Sequence, residues 1–274
     1  MTLELPDIGL GTYRMTDRDE CITAVETALD AGYRHVDTAQ MYDNEAFVGE
    51  ALSNTFAGTS GVDRDDVVVA TKLDTDNTGS DDATATARES RDRLGLDTVD
   101  LLYVHWPTGT YEPSETLPAL DELVDDGVVG AVGQSNFTPP QLETAIDRLD
   151  HDLAAHQVEM HPLLPQEELH RMAVEHGHYL VAYCPIARNR VADVPVLRDV
   201  ADAHDATPAQ VSLAWLAAKE NVVPIPKAAS PDHVRENLAA MDLDLSDEEV
   251  ARIDALGDER RERLVDFPAA PWNQ

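Results

Sequence analysis

The sequence predicts an α/β fold, a single (β/α)8 barrel, and three observations point to it. Short β-branched runs alternate with amphipathic stretches from end to end, the order of parallel strands joined by helical crossovers. Eight such repeats can be read. They fill 274 residues with no linker or low-complexity tract between them. That suits a barrel of roughly 250 residues, whereas a doubly wound sheet would need fewer strands or more chain. Residues 1–274 therefore read as one domain.

The elements follow in order. The run 8–12 reads as the first strand and 19–31 as the first helix; strand 34–37 then leads to helix 45–54. The Val-rich run 67–72 precedes helix 83–94, whose start is signalled by Ser80 and the two Asp after it. Strand 99–105 leads to helix 115–126. Strand 129–135 leads to helix 139–149, where Thr138 stands before Pro139 and Pro140. Strand 155–159 is followed by helix 166–176, and strand 180–183 by helix 208–219, capped by Thr207 before Pro208. The last repeat is strand 222–226 with helix 231–240, capped by Ser230 before Pro231. A further helix over 247–256 has Ser246 as N-cap and Glu249 at its third position, a capping box.

The chain carries 53 Asp+Glu against 20 Lys+Arg, a formal charge of -33 at pH 7, with 43% hydrophobic residues. Regularly spaced Val, Ile and Leu argue for a packed core and against acidic disorder. Such a surface repels phosphate backbones and anionic lipid, so nucleic acid and membrane surfaces are poor partners. The acid is dispersed along the chain, which weakens a reading as a cation-binding or DNA-mimicking tail. It fits the cytoplasmic protein of an extreme halophile, because in molar salt the Debye length falls to roughly 3 Å and self-repulsion is screened. No run approaches the roughly 18 apolar residues of a membrane span. The opening MTLELPDIGL lacks the basic and cleavage regions of a signal peptide. Cys21 and Cys184 are isolated thiols. His156 with His161, and His176 with His178, have no converging Cys or carboxylate set, so no metal is expected.

In a barrel of this kind the reacting groups sit at the C-terminal strand ends and in the loops after them. Those positions hold Asp37 and Tyr42, Lys72, His105, Ser135 and Asn136, Gln157 and Glu159, Tyr183, and Lys227. Only three lysines (Lys72, Lys219, Lys227) stand against 17 arginines, and two of the three are at strand ends. A lysine kept in a chain that otherwise uses arginine suggests a task for a compact cation beside a titrating group.

The blocks GYRHVDTAQMYDNEAFVG (32–49), TKL (71–73), LLYVHWP (101–107), VGQSNF (132–137), HQVEMHP (156–162), AYCP (182–185) and IPK (225–227), with Glu236 and Asn237 beyond, cover almost the whole chain. In this order they resemble the aldo-keto reductase family, and within it bacterial carbonyl and diketogluconate reductases, here with a haloarchaeal-type surface. The resemblance implies NADPH- or NADH-dependent reduction of aldehydes and ketones to alcohols.

Asp37, Tyr42, Lys72 and His105 match the family's catalytic tetrad. By that match Tyr42 donates the proton, and because a free phenol has a pKa of about 10, the Lys72 ammonium is expected to lower it. Asp37 holds Lys72, and His105 binds the carbonyl oxygen. Ser135, Asn136 and Gln157 match the side chains that hold the nicotinamide carboxamide, and Tyr183 the ring that stacks on it. Pro185, Arg188 and Arg190 match the pyrophosphate segment, and Lys227, Ser230, His233, Glu236 and Asn237 the adenosine end. There the family places Ser after the Lys and Arg six residues beyond it; this chain has Ala228 and His233. A hydroxyl and a permanent cation for the 2'-phosphate are therefore missing, and use of both NADPH and NADH is expected.

Tyr13, Met41, Trp106 and the tail at 267–272, Trp272 included, match the substrate wall, so the resemblance implies a C-terminal tail over 257–274 folding toward the active site. Asp74 stands where relatives often carry an aromatic residue, and the N-terminal hairpin is shortened to one strand. The resemblance implies a small-molecule carbonyl substrate and a monomer. Two competing functions are a cofactor-binding regulatory barrel without turnover and a carboxylate-based hydrolase. The latter would need two acids at strand ends, and only Asp37 and Glu159 qualify.

Overall fold

The computed structural model describes residues 3–58 and 61–274. Eight parallel strands stand in chain order: β1 Leu10–Gly11, β2 His35–Asp37, β3 Val68–Leu73, β4 Leu101–Val104, β5 Val132–Ser135, β6 Leu153–Glu159, β7 Tyr179–Tyr183 and β8 Val222–Pro224. A parallel bridge from Gly11 to Lys227, with Gly9 N and Gly11 N donating to Pro224 O and Pro226 O, closes the sheet into the expected barrel. β1 is shorter than the run 8–12. Pro224 and Pro226 offer carbonyls but no N–H, so the seam with β8 is one-sided.

Helices cover the outside: α1 Arg18–Ala31, α2 Glu45–Ala57, α3 Ser80–Leu94, α4 Pro113–Asp125, α5 Pro139–Arg148 and α6 Glu167–His176, then α7 Pro195–Ala203, α8 Pro208–Ala217, α9 Pro231–Leu238, α10 Asp247–Asp254 and α11 Leu256–Glu259. The polar starts read from the sequence act as caps: Thr207 Oγ1 accepts from Gln210 N, Ser230 Oγ from His233 N, and Ser246 Oγ from Glu249 N. Ser80 instead lies inside α3, and Gly79 takes the cap position. Helix α7 was not expected; its N-cap is Val194, which carries no polar signal before Pro195.

Two apolar layers result. Between barrel and helices lies the larger core, which includes Leu29, Val69, Leu120 and Trp215. Inside the barrel Leu5, Ala70, Leu101, Tyr103, Ala155, Val181, Val223 and Ile225 fill the N-terminal half. Gly133 makes room there, since a Cβ would come within 2.6 Å of the Tyr103 ring. Leu5 closes the bottom, and among the described residues no strand precedes β1. No helix of the described residues is long and apolar enough to cross a membrane.

Candidate active site

At the C-terminal strand ends a cavity of about 500 Å³ opens, lined by Asp37, Tyr42, His105, Ser135, Asn136, Gln157 and Tyr183 among others. Strand alternation explains the set: Ser135, Gln157 and Tyr183 lie an even number of residues from the inward positions Gly133, Ala155 and Val181. Tyr42 is delivered by a short 3-10 turn, Gln40–Tyr42, directly after β2.

Lys72 is fully buried and donates to Asp37 Oδ1 at 2.5 Å and to Thr38 O at 2.7 Å. Gln157 Nε2 donates to Asp37 Oδ2 at 2.7 Å, so one carboxylate ties β2, β3 and β6 together. The Lys72 ammonium lies 5.2 Å from the Tyr42 ring centroid, and the Tyr42 and His105 rings meet edge-on at 5.7 Å. His105 Nδ1 is buried without a partner, which leaves Nε2 as the ring nitrogen facing the cavity.

The electrostatics differ in one respect from what the resemblance implies. Burial, then the Asp37 charge, holds the Tyr42 phenol well above its ordinary 10.0. The Lys72 ammonium, 5.2 Å from the ring centroid, does not outweigh the two. Burial also lowers the Lys72 ammonium from its ordinary value, opposed by Asp37. Burial and the Lys72 charge keep His105 well below 6.5, so at neutral pH it is an uncharged imidazole.

Around this cluster, Asn136 Nδ2 donates to His105 O and Ser135 Oγ, both at 3.0 Å, and Tyr183 Oη donates to Asn136 Oδ1 at 2.8 Å. Four non-glycine residues lining the cavity have left-handed backbones: Arg14 (φ 62°), Asn136 (65°), Cys184 (50°) and Arg188 (51°). Strained backbone of this kind, costing about 1–3 kcal/mol each, concentrates where chain geometry serves a site.

The lining suits a nicotinamide dinucleotide. Amide, hydroxyl and phenol groups gather at the deep end. Arg14, Arg188 and Lys227 also face the cavity, and Asp37 is its single acid among the described residues, in a chain with 53. Gly11 lets the chain pass close at the β1–β8 seam, where a Cβ would stand 2.9 Å from Ile225 O. Pro185 lines the cavity, as do Tyr13, Met41 and Trp106.

Other expected residues lie elsewhere. Arg190 is turned away and pairs with Glu262 at 2.9 Å, because the left-handed residues Arg188 and Asn189 reverse the chain before it. Ser230, His233, Glu236 and Asn237 sit on α9 or at its cap, outside the cavity lining. Trp272 lines a neighbouring cavity of about 340 Å³ and reaches the main one only through Trp106, 5.7 Å between rings. Asp74 caps its own short turn, its Oδ1 accepting from Asp76 N and, at 3.1 Å, from Thr75 Oγ1. The reading missed Gly11, Arg14, Cys184, Ile186, Ile225 and Val265. Arg14 was recoverable as the neighbour of Tyr13 in the first βα loop; Val265 comes from a tail with no periodic signal.

Glu159, the second candidate acid for hydrolysis, is occupied. Its Oε1 accepts from Leu264 N at 2.6 Å and lies 3.0 Å from His161 Nε2, and its Oε2 accepts from Val265 N at 2.8 Å. Burial pushes this carboxyl up, but the His161 and backbone hydrogen bonds outweigh it and hold it below the usual range. A committed carboxylate cannot serve as nucleophile or general acid, so the hydrolase reading fails. His156 Nε2 accepts from Phe137 N at 3.2 Å, and no three metal-ligating side chains converge among the described residues.

The sequence profile of the Aldo/keto reductase family matches residues 7–258. The chain belongs to this family. It is 39% identical over 262 residues to an aldo-keto reductase of Mycolicibacterium vanbaalenii, covering 94% of this chain and 91% of that one. It is 35% identical over 263 residues to the 9,11-endoperoxide prostaglandin H2 reductase of Trypanosoma cruzi, covering 95% and 90%. The structure of aldose reductase from Giardia lamblia superposes with a TM-score of 0.91 at 30% identity, over 98% of this chain and 97% of that one. As an aldo-keto reductase the protein is an oxidoreductase that carries out NAD(P)H-dependent carbonyl reduction.

Proposed function

We propose that the chain reduces aldehydes and ketones with Tyr42 as proton donor, His105 as carbonyl-oxygen ligand and the Lys72–Asp37 pair as their electrostatic support. The observation that carries this is the convergence of Asp37, Tyr42 and His105 on one cavity, with the buried Lys72 ammonium behind them, 2.5 Å from Asp37 and 5.2 Å from the Tyr42 ring centroid. When bound, the nicotinamide supplies the hydride. The uncharged His105 donates from Nε2 to the carbonyl oxygen, and Tyr42 holds the proton that this oxygen takes as charge develops on it. Lys72 polarises the phenol from below while Asp37 fixes the ammonium. Ser135, Asn136 and Gln157 hold the carboxamide, and Tyr183 orients the ring, which sets the geometry of transfer.

Loss of NAD(P)H absorbance with 4-nitrobenzaldehyde tests the reading. Cofactor binding without turnover would support the regulatory barrel instead. Lys72→Arg separates charge from shape: a planar guanidinium has no room at a fully buried point between Asp37 and Thr38 O. The variant is expected to lose activity nearly as far as Lys72→Met, measured as kcat in parallel assays; wild-type turnover in the Arg variant would remove Lys72 from the mechanism.

The same reading covers one catalytic domain acting as a monomer on a small carbonyl compound, in the cytoplasm of a halophile. For the cofactor, the buried Ala228 offers no hydroxyl and the exposed His233 no permanent charge, while Lys227 remains at the cavity. Both cofactors are expected to work, with a preference for NADPH under about 100-fold in kcat/KM, or about 2.7 kcal/mol. His233→Arg should raise the NADPH to NADH ratio. An unchanged ratio would place the phosphate elsewhere.

A further inference from the structure

Glu159 ends β6 two residues after Gln157 and faces the same side of the sheet, yet it meets the C-terminal tail and not the cavity cluster. Its carboxylate is fully buried, and both oxygens take backbone N–H groups of consecutive tail residues, Leu264 and Val265. Gln166 Nε2 donates to Glu159 O at 2.8 Å and holds the backbone on the barrel side. On the other side, Val265 lines the main cavity, and Phe267 and Trp272 pack on Trp106 at 4.9 and 5.7 Å between rings. Beyond Val265 the tail is bonded mainly to itself, with Trp272 Nε1 and Asn273 Nδ2 both donating to Asp266.

We propose that Glu159 is a positioning residue for substrate, whose carboxylate fixes the tail at Leu264 and Val265 and so sets the distance of the Val265–Phe267–Trp272 wall from Trp106. The proposal rests on the reductase reading. A shift of one residue in the tail would swap which side chains face Trp106, and two bonds from one carboxylate to adjacent N–H groups select a single register. Glu159 thereby decides how large an apolar group can lie beside the reacting carbonyl, while the tetrad works as before.

Glu159→Gln keeps the shape but turns one acceptor into an N–H donor that opposes a tail N–H. KM for 4-nitrobenzaldehyde should rise about tenfold, the loss expected of one charge-assisted hydrogen bond, while KM for propanal, kcat for propanal and the Kd for NADPH stay within about twofold. Trypsin should cut the Arg260–Arg263 segment faster than in wild type. Combined with Phe267→Ala, the KM effect should be less than additive, since both act through the tail. Leu264→Pro, which removes the N–H that Glu159 Oε1 accepts and leaves the carboxylate in place, should give the same KM pattern and serves if the Gln variant does not fold. Equal KM changes for both aldehydes, additive effects with Phe267→Ala, or unchanged proteolysis would each overturn the proposal. A wild-type protein without turnover would refute the reductase reading, and the proteolysis comparison would still report on the tether.

Discussion

Tyr42→Phe is expected to lower kcat by about 100- to 10,000-fold, the range for loss of a positioned general acid. The ring would keep its contacts with Tyr13 at 5.2 Å and His105 at 5.7 Å, so folding and cofactor affinity should change little. Single-turnover hydride transfer within threefold of wild type would assign the proton to another group. The pH profile gives a second check. With the phenol held above 10.0 by burial and Asp37, Tyr42 stays protonated across the neutral range, and with His105 held below 6.5 the imidazole stays uncharged. Reduction should therefore be flat from about pH 7 to 9, whereas alcohol oxidation, which needs phenolate, should rise with pH. A fall in kcat for reduction centred below pH 9 would contradict this assignment.

The second large effect concerns salt. At about 0.1 M the Debye length is roughly 10 Å, and a charge of -33 repels itself across the whole surface. Exposed pairs such as Arg88–Asp126 and Arg171–Glu175 offset little of this, since isolated surface ion pairs contribute about 0–1 kcal/mol each. The remaining repulsion competes with a stability of only about 5–15 kcal/mol. Melting temperature and kcat should both climb between about 0.1 and 3 M KCl, while cofactor KM also rises as the attraction of Arg14, Arg188 and Lys227 for phosphate is screened. The pair Lys72–Asp37 is buried and should be insensitive. A melting temperature independent of salt would remove the halophile reading and leave the reductase assignment intact.

The barrel was legible because its elements announce themselves locally. Thr138, Thr207, Ser230 and Ser246 stand before proline or acid at helix starts, and the strands are β-branched runs between them. Helix α7 escaped because Val194 is an apolar cap between two apolar stretches. The tetrad was legible because strand ends are fixed by the fold, so Asp37, Lys72 and His105 could be placed once β2, β3 and β4 were known. The pyrophosphate segment was not: Cys184 to Asn189 contains four left-handed residues, none of them glycine, and nothing in those side chains marks a reversal that carries Arg190 away. The tail was legible only in its direction, because its register depends on a carboxylate about a hundred residues earlier in the chain.

The scarcity of lysine has a practical side. Lys72 has no exposed side-chain surface, and Lys219 lies against the Trp215 ring at 4.2 Å with its ammonium bound to Asp254. Lys227 is the most open of the three, and it lines the cofactor cavity. Amine-directed chemistry on the lysine side chains of the folded protein is thus concentrated at one residue in the cavity. An acylating reagent becomes in effect a footprint for cofactor occupancy, and attachment through surface amines has almost nowhere else to go.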